Sequence, residues 1–196
     1  MNKHSKIAVL GGGSWATAIV KMLSENIETI GWYMRNELAI EHIKQNEHNP
    51  NYLRSAELNA AQLDLSNDIN YTVANYDILI FAIPSAFLTS ELNKLSESLI
   101  SKTIFSAIKG IVPETGLIIG EHFHKIYNIP FENIGVITGP CHAEEVAMER
   151  LSYLTIACQD EVKAKFVGKA LQSWYIKTKI SDDIIGTEYA AMLKNI

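Results

Sequence analysis

The sequence predicts an α/β protein built on a mostly parallel, twisted β-sheet with helices on both faces. Three observations lead to that expectation. Short continuous apolar runs alternate with helix-period segments along the chain, the pattern of strands buried on both faces and joined by crossover helices. The first run, Ile7 to Leu10, passes directly into Gly11-Gly12-Gly13, a strand followed by a glycine turn. A second run, Thr29 to Met34, then closes a βαβ unit. The 196 residues suit one sizeable α/β core, because buried surface rises with chain length and domains usually hold roughly 100–200 residues.

From Ser14 the period changes: Ala16, Ile19, Val20 and Leu23 fall at i, i+3, i+4 and i+7, one apolar stripe on a helix. Further strands are expected at about Ile69–Val73, Ile78–Ile83, Thr103–Ala107, Ile134–Thr138, Leu151–Ala157 and Tyr175–Ile180, most of them separated by helical patterns. Leu88, Leu92, Leu95 and Leu99 predict one helical stripe, and Ile119, His122, Phe123 and Ile126 another. On that second stripe His122 reads as a satisfied core histidine. The polar stretch Gln45–Asp68, with Asn49-Pro50-Asn51 as a turn signal, predicts an irregular surface excursion.

At the end of the chain Ile185, Tyr189, Met192, Leu193 and Ile196 share one helical face, with Asp182 and Asp183 favouring the helix start. No Gly or Pro stop follows before Ile196, so the helix is expected to continue and the chain to be a fragment. The expected division is a binding domain over 1–181 and, over 182–196, the first helix of a truncated all-helical domain.

With 47% hydrophobic and 20% charged residues and no low-complexity tract, the composition is that of a globular protein. A formal net charge of −5 without clustered Lys and Arg argues against nucleic-acid or anionic-membrane partners. Cys141 and Cys158 are the only cysteines and offer neither a disulfide framework nor zinc-ligand spacing, so no metal is expected. The six histidines look scattered. The first strand begins too early to leave room for a signal peptide, and no apolar run approaches the ~18 residues of a membrane span. A soluble, cytoplasmic protein is the expectation.

Gly11-x-Gly13-x-x-Ala16, after a strand and opening a helix, fits the Rossmann dinucleotide fingerprint, whose third position accepts Gly or Ala. Gly11 allows the tight turn, Gly13 the approach of backbone to a pyrophosphate, and Ala16 close helix–strand packing. N–H groups near Ser14 and Trp15 would hold phosphate at the positive end of the helix. The alternative is a glycine-rich turn without a ligand. About 20 residues on, where NAD-specific folds often carry a ribose-binding acid, this chain has Arg35-Asn36. A guanidinium there can pair with a 2′-phosphate, which tilts the expected cofactor from NAD towards NADP; the alternative is a solvated Arg at a strand end.

Ile83-Pro84-Ser85, Lys109-Gly110 and Thr138-Gly139-Pro140-Cys141-His142-Ala143 each follow a strand, so they fall at the carboxyl edge where open α/β sheets bind ligands. Lys109 would supply a cation near a substrate phosphate. Cys141 and His142 do not read as a nucleophile and its base, because adjacent side chains diverge on a helix.

Taken in order, Gly11-Gly12-Gly13-Ser14-Trp15-Ala16-Thr17-Ala18, Asn49-Pro50-Asn51-Tyr52-Leu53, Ile83-Pro84-Ser85, Lys109-Gly110, Thr138-Gly139-Pro140 with Ala143-Glu144-Glu145-Val146-Ala147, and Asp182-Asp183-Ile184-Ile185-Gly186 running to Leu193-Lys194-Asn195 resemble the soluble NAD(P)-dependent glycerol-3-phosphate dehydrogenase family of bacterial type. The resemblance spans Lys6 to Ile196. It implies that Ser14, Trp15, Arg35, Lys109 and Ala143 contact the cofactor, that Lys109, Gly139 and the Cys141 position hold substrate, and that Lys194 is catalytic with Asn195 orienting substrate. The implied reaction interconverts dihydroxyacetone phosphate and sn-glycerol 3-phosphate for glycerophospholipid synthesis. Lys194 would meet negative charge building on the carbonyl oxygen, a role that burial or a neighbouring cation such as Lys109 would tune. Two features depart from the family: Cys141 stands where Ser or Thr is usual, and the helical C-terminal domain, with further substrate contacts and much of a homodimer interface, is missing. The fragment alone is therefore expected to be inactive. The competing classes are another β-hydroxyacid-type dehydrogenase and a non-catalytic NAD(P)-sensing module.

Overall fold

The computed structural model describes residues 5–193. In chain order the regular elements are β1 (Ile7–Leu10), α1 (Ser14–Ser24), β2 (Ile30–Tyr33), α2 (Glu37–Asn46), β3 (Leu63–Ser66), α3 (Ile69–Asn75), β4 (Ile78–Phe81), α4 (Ser85–Leu92), β5 (Thr103–Ser106), α5 (Ile119–Tyr127), β6 (Ile134–Thr138), α6 (Ala143–Ala147), β7 (Ser152–Cys158), α7 (Glu161–Leu171), β8 (Ile176–Ser181) and α8 (Ile184–Leu193). The strands form one eight-stranded sheet in the order β3-β2-β1-β4-β5-β6-β7-β8. All neighbours run parallel except β6 and β7, which pair antiparallel with Val136 opposite Ala157.

Successive strand side chains point to opposite faces, and here both faces are covered. Ile7, Val9, Ile78 and Ile80 enter one buried cluster with Ala16, Ile19, Val20 and Leu23 of α1 and Val167 of α7. Ala8, Leu10, Leu79 and Phe81 enter the other, with Ile69 and Val73 of α3, Leu88 of α4 and Phe123 of α5. Burial on both sides is why these strands read as unbroken apolar runs rather than as alternating ones.

Two expected elements are corrected. The run Ile69–Val73 is helix, not strand: Asp68 caps it by accepting from the Asn70 N–H at 2.9 Å, and Ile69, Thr72 and Val73 bury at i, i+3 and i+4. The strand lies earlier, at Leu63–Ser66, inside the stretch expected to be irregular, where it pairs with β2 at the sheet edge. The stripe Leu88, Leu92, Leu95, Leu99 does not form one helix, because α4 ends at Leu92. Past that point the Asn70 side chain donates to Lys94 O at 3.0 Å and accepts from Ser96 N at 2.7 Å, so α3 satisfies backbone groups that a continued helix would have used. Leu95 and Leu99 still pack against the same core.

α8 lies against α5, β6 and β7, anchored by Ile184 beside Val136 and Ala157. Glu188 is buried at 5% exposure. One carboxyl oxygen accepts from Gly120 N at 2.9 Å at the first turn of α5, and the other, Oε1, has no hydrogen-bond partner among the described residues. Burial raises its pKa to about 7; the Gly120 N–H opposes the shift and the charge of Glu121 adds to it. The native state thus keeps this proton to about pH 7, whereas the unfolded chain releases it near 4.5. Between those values the native state binds more protons, so stability is full below the unfolded pKa and falls as pH rises towards 7. The expected loss is on the order of 3 kcal/mol. Glu188→Gln should flatten that slope in urea unfolding run from pH 5 to 8; parallel curves for the two proteins would contradict it.

Candidate functional site

The site is built on the turn between β1 and α1. Gly11 adopts φ +133°, and a Cβ there would lie 2.4 Å from the carbonyl oxygen of Ala82, so β1 and the end of β4 can approach this closely only through glycine. At Gly13 a Cβ would meet no atom of the described residues within 4 Å apart from its chain neighbours: this glycine opens onto free space at the mouth of a groove. Gly13 is also the N-cap of α1, and no side chain caps that helix start, which leaves its first N–H groups and the positive end of the helix facing the groove.

Three side chains hold the turn in place. Trp32 Nε1 donates to Gly11 O at 2.7 Å, and Thr17 Oγ1 donates to Gly13 O at 2.9 Å. Asn49, 1% exposed, donates through Nδ2 to Thr17 Oγ1 at 2.9 Å and to Gly12 O at 3.3 Å. Its Oδ1 accepts from Asn51 N and Tyr52 N. The Asn49-Pro50-Asn51 motif is therefore both a turn and a buried brace on the glycine loop, a tertiary role that turn chemistry alone does not reveal.

Two adjoining cavities run along the carboxyl edge of β1, β2, β4, β5 and β6, and both are lined by Gly13, Ile83 and Pro84. The first, about 320 Å³, takes in Gly11, Arg35, Asn36, Asn51, Tyr52, Phe87 and Glu91. The second, about 420 Å³, takes in Ser14, Trp15, Ser85, Lys109, Cys141 and Ala143. An elongated two-part groove across a glycine turn and a helix N-terminus suits a dinucleotide, with its pyrophosphate at the shared middle. The open space at Gly13 is the observation that fits such a ligand.

The structure thus gathers Gly11, Gly13, Ser14, Trp15, Arg35, Asn36, Lys109, Cys141 and Ala143 around the groove. Asn36 also caps α2, accepting from Ala39 N. Gly139 lines neither cavity; its Cβ would collide with Tyr153 O at 2.2 Å, so packing against β7 accounts for its size. Lys194 and Asn195 lie outside the described residues. Cys141 is buried with Sγ 3.9 Å from Tyr153 O, while His142 is exposed, so the two diverge as adjacency requires. His122 is buried, its pKa lowered by that burial; Nδ1 lies 3.3 Å from Thr115 Oγ1, but Nε2 has no partner among the described residues, so within them it is a core histidine only half satisfied. His42 and His48 stack with ring centroids 4.7 Å apart, and no group of His, Cys, Asp and Glu among the described residues could hold a metal ion.

Sequence reasoning missed Glu91. This carboxylate is 1% exposed, accepts from Tyr33 Oη at 2.6 Å and from Lys94 Nζ at 2.9 Å, and pairs with Arg35 at 3.4 Å. Burial and the bond to Glu91 raise the Tyr33 phenol well above its usual range. The cluster joins residues up to 61 positions apart, so no local motif announces it.

Fold and groove define a dinucleotide-binding domain of Rossmann type. The chain belongs to the family of NAD-dependent glycerol-3-phosphate dehydrogenase N-terminal domains, whose profile matches residues 6–164. It is 34% identical over its whole length to an NAD(P)+ glycerol-3-phosphate dehydrogenase of Pseudomonas fluorescens, of which it spans 57%. Among solved structures it resembles the glycerol-3-phosphate dehydrogenase of Saccharomyces cerevisiae (TM-score 0.87, 23% identity, 98% of this chain and 61% of that one). The Plasmodium falciparum enzyme is similar to the same degree (TM-score 0.86, 24% identity, 97% and 56%). No described helix is long and apolar enough to cross a membrane.

Asn49→Ala should cost about 2 kcal/mol in urea unfolding, because it removes a buried donor and strands the backbone N–H groups of the turn. A change below about 0.5 kcal/mol, the level of ordinary surface substitutions, would mean that the brace is dispensable.

Proposed function

We propose that this chain is the cofactor-binding part of an enzyme that reduces dihydroxyacetone phosphate to sn-glycerol 3-phosphate, reversibly, with NADH or NADPH, and so supplies the backbone of glycerophospholipids. The observation that carries the reading is the second cavity, where the α1 start, Ser85, Lys109, Cys141 and Ala143 converge beside the glycine turn. In this reading residues 1–181 form the cofactor domain and 182–196 begin a helical substrate domain. The chain spans 57% of its P. fluorescens relative, in keeping with a remainder that supplies further substrate contacts and subunit interface. The chain alone is then inactive, and the intact protein works as a soluble cytoplasmic homodimer.

The division of labour follows from charge. Backbone N–H groups at Gly13, Ser14 and Trp15 hold the pyrophosphate, and Arg35 and Asn36 border the adenosine end. A bound nicotinamide supplies the hydride. Exposed Lys109 offers its ammonium to the substrate phosphate or to the carbonyl oxygen. Lys194 donates the proton, or a hydrogen bond, to that oxygen as negative charge builds on it, and accepts a proton in the reverse direction. Asn195 orients the substrate. Cys141 stands at the substrate wall with a thiol, a weaker donor than a hydroxyl.

Dihydroxyacetone phosphate-dependent oxidation of NADH and NADPH should be seen with the intact protein and be absent from residues 1–196 alone. Lys194→Met should lower turnover by about a hundredfold or more, the usual weight of a general acid, with cofactor binding retained. Retained cofactor binding without turnover of this substrate in the wild type would point to another β-hydroxyacid-type dehydrogenase or an NAD(P)-sensing module.

A further inference from the structure

We infer that Glu91 sets the cofactor preference of the groove: it holds the Arg35 guanidinium against α4, withholds it from a ribose 2′-phosphate, and so favours NAD(H) over NADP(H). The inference rests on the reading that the groove takes a nicotinamide dinucleotide. Taken alone, Arg35 at the end of β2 favours the 2′-phosphate. In the folded chain it is engaged from one side by two residues of α4. Its Nη1 lies 3.4 Å from Glu91 Oε1, and its Cζ sits 5.5 Å from the ring centroid of Phe87. Phe87 and Glu91 are four residues apart and share one helical face, and both line the adenosine end of the groove with Arg35.

Burial of Glu91 favours the hold, although the guanidinium itself stays more than half exposed. A carboxylate at 1% exposure depends on its cations, and removing one leaves buried charge undercompensated. Glu91 has two, Lys94 and Arg35, and the Tyr33 hydroxyl fixes its position. Lys94 does not replace Arg35 as a phosphate ligand, since its Nζ already contacts both Glu91 oxygens at 2.9 and 3.0 Å. Asp68 borders the adjoining hollow that Arg35 and Lys94 also line. A 2′-phosphate would therefore have to compete with a buried carboxylate for Arg35 and meet further negative charge nearby. A 2′-hydroxyl makes no such demand.

The test is fluorescence titration of the intact protein with NADH and NADPH, for wild type, Glu91→Gln, Arg35→Ala and the double variant. Wild type should bind NADH more tightly. Glu91→Gln should improve NADPH relative to NADH by about fivefold or more, the scale of one near-surface charge interaction, and the gain should vanish when Arg35 is Ala. Tighter NADPH binding by wild type, an unchanged ratio in Glu91→Gln, or the same gain without Arg35 would each overturn the inference. Binding of neither cofactor by folded wild type would instead overturn the underlying reading of the groove. If Glu91→Gln unfolds, Glu91→Leu/Lys94→Met removes the pair without leaving a lone buried charge and reads the same ratio.

Discussion

The close passage of Gly11 over Ala82 is the contact on which the rest of the site depends. With any side chain at Gly11, β1 and β4 could not deliver their carboxyl ends to one place, and α1 could not begin where it does. The hydrogen bonds from Trp32, Thr17 and Asn49 convert that permissive glycine turn into a rigid one. Glycine alone lowers the steric barrier; it does not choose a conformation. Here the choice comes from residues on β2, α1 and the loop after α2, so the groove is shaped before any ligand arrives, which lowers the ordering cost of binding.

The same logic separates the two ends of the groove. The cavity beside Lys109 is furnished by residues that follow β4, β5 and β6 directly, and strand order alone brings them together. The cavity beside Arg35 is furnished by a charged network spanning β2 and α4. Its geometry depends on the buried Glu91 and therefore on packing rather than topology. The network can therefore change while the fold and the other cavity stay as they are.

What could be read in the sequence divides along the same line. β1, β4 and β6 were legible because burial on both faces leaves an unbroken apolar run, and the fingerprint was legible because glycine has few substitutes at such a turn. β3 was not: Leu63-Asp64-Leu65-Ser66 is four residues long, lies at a sheet edge and alternates with polar residues. Ile69–Val73 reads as a strand because its β-branched and aromatic residues mimic one, and only the Asp68 cap marks it as helix. The early end of α4 is imposed by Asn70, a distant side chain acting on backbone. Glu91 and the bracing role of Asn49 are illegible in the sequence for the same reason, as their partners come from other elements.

The antiparallel turn-around at β7 has a geometric consequence for everything downstream. Because β8 runs with β7, it ends at the rim of the sheet opposite the groove, whereas the first six strands all end on the groove side. A later segment can contribute to the chemistry only by travelling back the height of the sheet. α8, with ten residues, is about 15 Å long at the helical rise per residue, much the same height as a four- or five-residue strand. The reversal thus makes α8 a strut of the right length to run from the far rim back along the height of the sheet.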